Sequence, residues 1–203
     1  MQIVIDTKLE CVILAAGSSK RLGQEKALVS MGSGSLISWI SRRVKKKGMS
    51  PVIVTKSEIF DEVCRESPDC KVILNPDPSR GRTGSLQEGI SALDIDSDMD
   101  YRMLVIPVDR PGFSDSTLDL LVESKNSCCP MQNGKGGHPI LLISEDVQRV
   151  REASEDTPLR DIVKPQRFEV EDSFLHLNID TPSDIELLEE MHSNYQDNSD
   201  FGG

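Results

Sequence analysis

The sequence predicts a three-layer α/β/α fold around a mainly parallel, Rossmann-like sheet. Two observations carry that prediction. Short branched apolar runs, each too short for a helix, alternate with segments whose apolar residues recur at helical spacing. The chain between successive runs is long enough for a crossover, which returns each strand parallel to the one before and lays a helix over the sheet. At 203 residues the chain can bury a core without metal or disulfide staples.

The elements follow in order. Residues 10–16, Glu10-Cys11-Val12-Ile13-Leu14-Ala15-Ala16, are stopped by Gly17 and have the composition of an interior strand. Leu36, Ile37, Trp39, Ile40 and Val44 then recur with helical period. Arg42, Arg43, Lys45, Lys46 and Lys47 gather just before the stop at Gly48, as in a solvated helix end that complements its dipole. Strands at 51–55 and 71–74 alternate with helices at 57–66 and 83–93. Residues 102–108 form a fourth buried strand, and Ser114 is the N-cap of a helix over 114–124. Beyond it the rhythm loosens: short strands are expected at 128–131, 139–143, 167–170 and 174–177, among helices at 145–153, 158–163 and 182–192. A single domain over 1–192 accounts for these elements, and the polar, aperiodic stretch 193–203 is expected to be a disordered tail.

Composition excludes some functions. A net charge of −11 suits neither a phosphate backbone nor an anionic membrane, and 4% aromatics leaves few platforms for stacking bases. Neither a nucleic-acid nor a membrane partner is expected. The longest apolar run, 11–16, is far below the roughly 18 residues that span a bilayer, and no basic-then-apolar export pattern opens the chain. Five cysteines (Cys11, Cys64, Cys70, Cys128, Cys129) form no C-x-x-C pair and cannot all pair, so a cytoplasmic setting is expected. Charge is also uneven, +6 over residues 1–50 against −10 over 151–203, which points to a small anion held near the front of the chain.

In an open parallel sheet, ligands bind beyond the carboxyl ends of the strands, so the segment after 10–16 is the first candidate. It runs Gly17-Ser18-Ser19-Lys20-Arg21-Leu22-Gly23-Gln24-Glu25-Lys26. Its small residues leave backbone amides free to close on phosphate oxygens, Arg21 is a bidentate donor and Lys26 a point charge. Neither the Walker A nor the dinucleotide fingerprint is present, and an ordinary solvated turn has the same composition.

Leu14-Ala15-Ala16-Gly17-x-Ser19-x-Arg21-Leu22-Gly23-x-x-Lys26 resembles the signature L-A-A-G-x-S-x-R-M-G-x-x-K of nucleotidyltransferases. The branch it resembles is the molybdenum cofactor cytidylyltransferase group of the MobA-like NTP transferases, with a sheet of the nucleotide-diphospho-sugar transferase type. The resemblance continues through Asn75-Pro76, Gly81-Arg82-Thr83-Gly84-Ser85-Leu86, Pro107-Val108-Asp109-Arg110-Pro111, Gly137-His138-Pro139 and Asn178-Ile179-Asp180-Thr181-Pro182-Ser183-Asp184, over about residues 10–190. It implies that Leu14, Ala15, Ala16, Gly17, Ser18 and Ser19 surround the nucleotide, that Arg21 meets the outer phosphates and Lys26 the α-phosphate, and that Gly81, Gly84 and Ser85 border the base. Ala16 stands where the guanylyl branch carries glycine, which favours CTP. Gly137 and His138 would border the acceptor, with a buried or turn histidine as the alternative at His138.

Nucleotidyl transfer is in-line attack on an α-phosphorus with loss of pyrophosphate, and a hard divalent cation held by carboxylates suits it. Asp109, just past the strand 102–108, is the expected Mg²⁺ ligand, with a turn aspartate as the alternative. The resemblance adds Asp180 as a second metal-directed carboxylate, whereas Asp184 sits where a helix start needs a cap. Asn178 in place of the branch's first aspartate resembles the guanylyl pattern and works against CTP. Arg110 stands where the family has Gln or Met and adds a cation favouring a more anionic acceptor. His176 and His192 match no motif and are expected to be structural.

The expected function is Mg²⁺-dependent transfer of CMP from CTP to a phosphorylated acceptor, molybdopterin-type cofactor, with a cofactor-receiving enzyme as a further partner. GTP, or another phosphorylated small molecule, is the rival within the class. A carrier that binds nucleotide without turnover is the rival outside it, and such a carrier has no need of Asp109 and Asp180.

Overall fold

The computed structural model describes residues 7–93 and 100–200. Its middle is made of strands apolar on both faces. β1 (Lys8–Leu14) is followed by a two-stranded antiparallel ribbon, β2 (Ser30–Met31) and β3 (Gly34–Ser35), and by α1 (Leu36–Lys46). β4 (Val52–Thr55), α2 (Phe60–Glu66), β5 (Lys71–Leu74) and α3 (Gly81–Ala92) continue the alternation. β6 (Tyr101–Pro107) leads to α4 (Asp115–Glu123), where the Ser114 hydroxyl accepts the Thr117 amide as the expected cap. Then come β7 (Cys128–Gln132), β8 (Lys135–Gly136), β9 (Ile140–Ile143), α5 (Ser144–Glu152), α6 (Leu159–Ile162), β10 (Gln166–Glu169) and α7 (Ser183–Asp200).

The sheet order is β10-β7-β9-β6-β1-β4-β5, with β8 paired to β7. β1 is parallel to both β4 and β6, β5 to β4, and β10 to β7, so the sheet is mainly parallel as expected. β9 runs against its neighbours β6 and β7, and the short β8 runs against β7. Alternation along β1 divides the core. Cys11 and Ile13 face the layer that holds Ile40 of α1, Leu118 of α4 and Leu188 of α7, while Val12 and Leu14 face Leu86 and Ile90 of α3 and Val147 of α5. Helices thus cover both sides. Among the described residues no helix is long and apolar enough to cross a membrane.

Three expectations differ from the structure. Residues 174–177 are not a strand: the Leu175 and Leu177 amides donate three residues back, to Asp172 O and Phe174 O, so the segment closes as successive turns that bury both leucines. Helix α7 continues to Asp200 where a disordered tail from 193 was expected, because Leu188, Met191 and Tyr195 prolong one apolar stripe and the Tyr195 hydroxyl donates to Gly112 O at 2.9 Å. Residues 201–203 of that tail lie outside the described residues. The basic end of α1 is not simply solvated either. Arg43 turns inward, its guanidinium 4.4 Å from the ring centres of both Trp39 and Phe113, and donates to Asp115 and to Phe113 O.

Candidate active site

β1 hands over to the glycine loop without leaving the sheet abruptly. The Ala15 amide still donates to Val54 O of β4 at 2.8 Å, Ala15 and Ala16 are buried, and the chain turns away at Gly17. The amides of Leu22 and Gly23 then fold the loop back onto Ser19 O. The Ser19 hydroxyl donates to Glu25 Oε2 at 2.9 Å and accepts the Lys26 amide at 3.2 Å, while Lys56 from beyond β4 donates to the other Glu25 oxygen. This bracing sets Lys26 at the head of a short 3₁₀ turn, with its side chain only 10% exposed.

The register of β6 on β1 pairs Leu14 with Pro107, and the Val108 amide donates to Leu14 O at 3.0 Å, so Asp109 emerges beside the start of the glycine loop. The Ile179 amide donates to Asp109 O and ties residues 178–180 to the same place. Lys26 Nζ donates to Asp180 Oδ1 and lies 3.7 Å from Asp109 Oδ2. Arg21, 75% exposed, donates to Asp180 Oδ2 at 2.9 Å, and the Asn178 amide donates to the same oxygen at 2.6 Å. The hydrogen bond from Lys26 holds the Asp180 carboxyl below the usual carboxylate range, with Asn178 and the charges of Lys26 and Arg21 adding to it against the opposing effect of burial. Asp184 accepts the Asp180 and Thr181 amides at 2.9 and 2.6 Å, the fastening of a helix start.

A cleft of about 290 Å³ opens here, lined by Leu14, Ala15, Ala16, Gly17, Ser18 and Ser19 on one side and by Lys26, Gly81, Arg82, Ser85 and Asp109 around the rest. Arg21 and Asp180 join it through Lys26. Gly84 does not: its amide donates to Glu155 O at 3.1 Å and its backbone packs against Arg80. The Ser85 hydroxyl accepts from Asn75 Nδ2 at 2.9 Å and donates to Gly81 O at 3.0 Å, so Ser85 lines the cleft with its own polar bonds already made. Gly137 and His138 stand outside this lining. Gly137 donates to Pro130 O, and a Cβ there would fall 2.7 Å from the buried Leu175 side chain, which would have to shift. His138 is held neutral, its pKa lowered to about 3 by burial and then by the charges of Arg82 and Arg110.

Sequence reasoning did not single out Glu25, Asn75 and Arg82. Arg82 Nη2 lies 3.7 Å from Asp109 Oδ2. The signals were weak: Asn75 and Arg82 sit inside quoted motifs with no role attached, and Glu25 is one polar residue among many in its loop. A larger hollow of about 630 Å³ lies between α1, the start of α4 and α7. It gathers neither the glycine loop nor the facing carboxylates, so the smaller cleft is the candidate site.

The two carboxylates suit a hard divalent cation. Both reach the single Lys26 ammonium, so their oxygens face a common point, and Mg²⁺ is ordinarily held by one or two carboxylates plus substrate phosphates. Among the described residues no three His, Cys, Asp or Glu side chains gather to hold a metal alone, so phosphate and water would complete the shell.

Loop amides, cations and carboxylates converging beyond parallel strands suit a nucleoside triphosphate and the charge that builds as its pyrophosphate departs, the task of a nucleotidyltransferase. The MobA-like NTP transferase domain matches residues 11–170, and the chain belongs to that family. It is 24% identical to the molybdenum cofactor cytidylyltransferase of Escherichia coli K12 over 195 residues, 91% of this chain and 97% of that protein. Its fold is shared by Rv0371C of Mycobacterium tuberculosis H37Rv, solved in complex with manganese (TM-score 0.70, 16% identity, 91% and 98% of the two chains). It is shared too by a CMP:2-keto-3-deoxy-manno-octonic acid synthetase complexed with CTP (TM-score 0.67, 14% identity, 93% and 99%).

Proposed function

We propose that this nucleotidyltransferase moves CMP from CTP to a phosphorylated acceptor of the molybdopterin type, releasing pyrophosphate, in a cytoplasmic setting where a cofactor-receiving enzyme takes the product. The observation that carries the reading is Lys26 held between Asp109 and Asp180 at the mouth of the loop formed by Leu14 to Ser19. Backbone amides of the loop take the triphosphate, and Arg21 at the rim grips its outer phosphates. Lys26 then meets negative charge on the α-phosphoryl oxygens, where it is worth most in the transition state. Asp109 and Asp180 would hold Mg²⁺, which when bound supplies charge neutralisation along the phosphates. Ala16 and the name of the Escherichia coli relative support CTP over GTP.

The test is pyrophosphate release with each of the four NTPs and Mg²⁺ across a panel of phosphorylated acceptors. CTP should give the highest rate, together with an acceptor bearing a phosphate monoester. A GTP-dominated profile would reverse the choice of base, and no release with any NTP would leave only nucleotide binding.

A further inference from the structure

Beyond Asp109 the chain gathers polar groups whose bonds are not made. Arg110 Nε, His138 Nδ1 and Asn178 Oδ1 are all buried without a hydrogen-bond partner. They come from three separate segments brought to one place: the Ile179 amide on Asp109 O ties residues 178–180 to 109–110, and the Arg110 and Arg82 charges both act on His138. Other part-buried arginines are at least partly bonded, although Arg43 Nη1 is also without a partner. Arg43 donates to Asp115 and Phe113 O, and Arg102 Nη1 to Val122 O and Ser124 O. Arg110 alone of the three makes no side-chain hydrogen bond or ion pair among the described residues. Leaving a buried donor unpaired is unfavourable, more so for a charged group, and the protein recovers that loss when an anion arrives.

We infer that Arg110 is the specificity-determining residue for the acceptor: with Arg82 it binds the acceptor's phosphate monoester beside Asp109, and Asn178 Oδ1 takes an N–H or O–H of the same molecule next to that phosphate. This rests on the nucleotidyltransferase reading proposed above and adds which end of the acceptor is held, and by what. The chemistry matches. A dianionic monoester supplies acceptors to two guanidiniums, which favour planar, bidentate recognition of phosphate. A neutral imidazole beside them can bond without adding a third positive charge. The Asn178 Nδ2 is spent on Asp180, which leaves its buried, unpartnered oxygen as the group able to take a donor.

The experiment uses the full chain labelled with ¹⁵N, loaded with Mg²⁺ and CTP so that the nucleotide side is filled, and titrated with phenyl phosphate. The Nε–Hε resonance of Arg110, assigned by its loss in Arg110→Lys, should move and saturate, and benzyl alcohol should leave it still. Arg110→Gln should weaken phenyl phosphate at least tenfold and Arg110→Lys by only a few-fold, with the thermal shift caused by CTP retained in both. An unmoved resonance in the wild-type chain, or equal affinity in Arg110→Gln, overturns the inference, and the first of these needs no variant to fold. Pyrophosphate release is read separately: its failure with phenyl phosphate binding intact would sink the proposed function and spare Arg110, and the converse would spare the function alone.

Discussion

Asp109 carries the sharpest residue-scale expectation. Its carboxylate lies near two cations, Lys26 and Arg82, each at 3.7 Å, distances too long to contribute much to stability. Asp109→Asn keeps the shape and removes the charge, so the Tm should move little while kcat falls by about 10² to 10⁴, a loss of about 3 to 5 kcal/mol of transition-state stabilisation. Measuring both on one preparation decides the matter, since a turn aspartate would lose stability and keep its turnover. His138 gives a second expectation. Its pKa is about 3 in the folded chain against 6.5 when unfolded, so the unfolded state binds the extra proton first. The stability from keeping it neutral is complete above about pH 6.5 and is lost as pH falls toward 3, by at most about 5 kcal/mol, a tenfold change in proton affinity being worth about 1.4 kcal/mol. His138→Asn should therefore flatten urea-midpoint stability between pH 6.5 and 4, and an unchanged slope would contradict the burial. Much of this neighbourhood was legible, because Lys26, Asp109 and Asp180 lie in spaced motifs and carry the charge the chemistry needs. Arg82 and the bond from Asn178 to Asp180 were not, since their geometry depends on which loops meet.

At the scale of elements, α3 sits closer to the sheet than an ordinary helix because Gly89 has no side chain. A Cβ there would fall 2.5 Å from Val12 Cγ1 and 3.0 Å from Val54 Cγ2. Alanine in an open helix position would stabilise by up to about 1 kcal/mol, but here the clash meets stiff β-branched residues on central strands. Gly89→Ala should destabilise by about 1 to 3 kcal/mol in urea unfolding and, through the displaced Ser85 and Gly81, weaken nucleotide binding. A neutral or stabilising result would mean that the helix can lift freely. The early strands and helices were readable because each β-α pair is local and its period is unmistakable. The reversed direction of β9 was not, since four apolar residues look the same in either orientation. Nor was the turn at 174–177, where alternating Leu175 and Leu177 mimic a strand while Asp172 and Phe174 supply the turn acceptors.

For the whole molecule, the charge asymmetry of the sequence becomes a contact. Arg21 and Lys26 from the basic front meet Asp180 from the acidic back, 159 and 154 residues away in the chain. CTP with Mg²⁺ should raise the Tm more than GTP at equal concentration, since a ligand stabilises by its affinity for the native state, and a larger shift with GTP would reverse the choice of base. The meeting of the chain's two ends continues within one layer of the core, between α1 and α7. There Arg43 of α1 lies between Trp39 and Phe113, within 5.8 Å of the Tyr195 ring of α7, while the His192 ring of α7 meets Trp39 edge-on at 6.4 Å. Trp39 is the only tryptophan in the chain. The molecule thus carries one indole, placed at the seam between its first helix and its last, so selectively excited tryptophan emission records the docking of α7 while circular dichroism records the remaining helices and strands. Coincident transitions in urea would make the C-terminal helix part of one cooperative unit, and an earlier shift in emission would mark it as a segment that opens by itself.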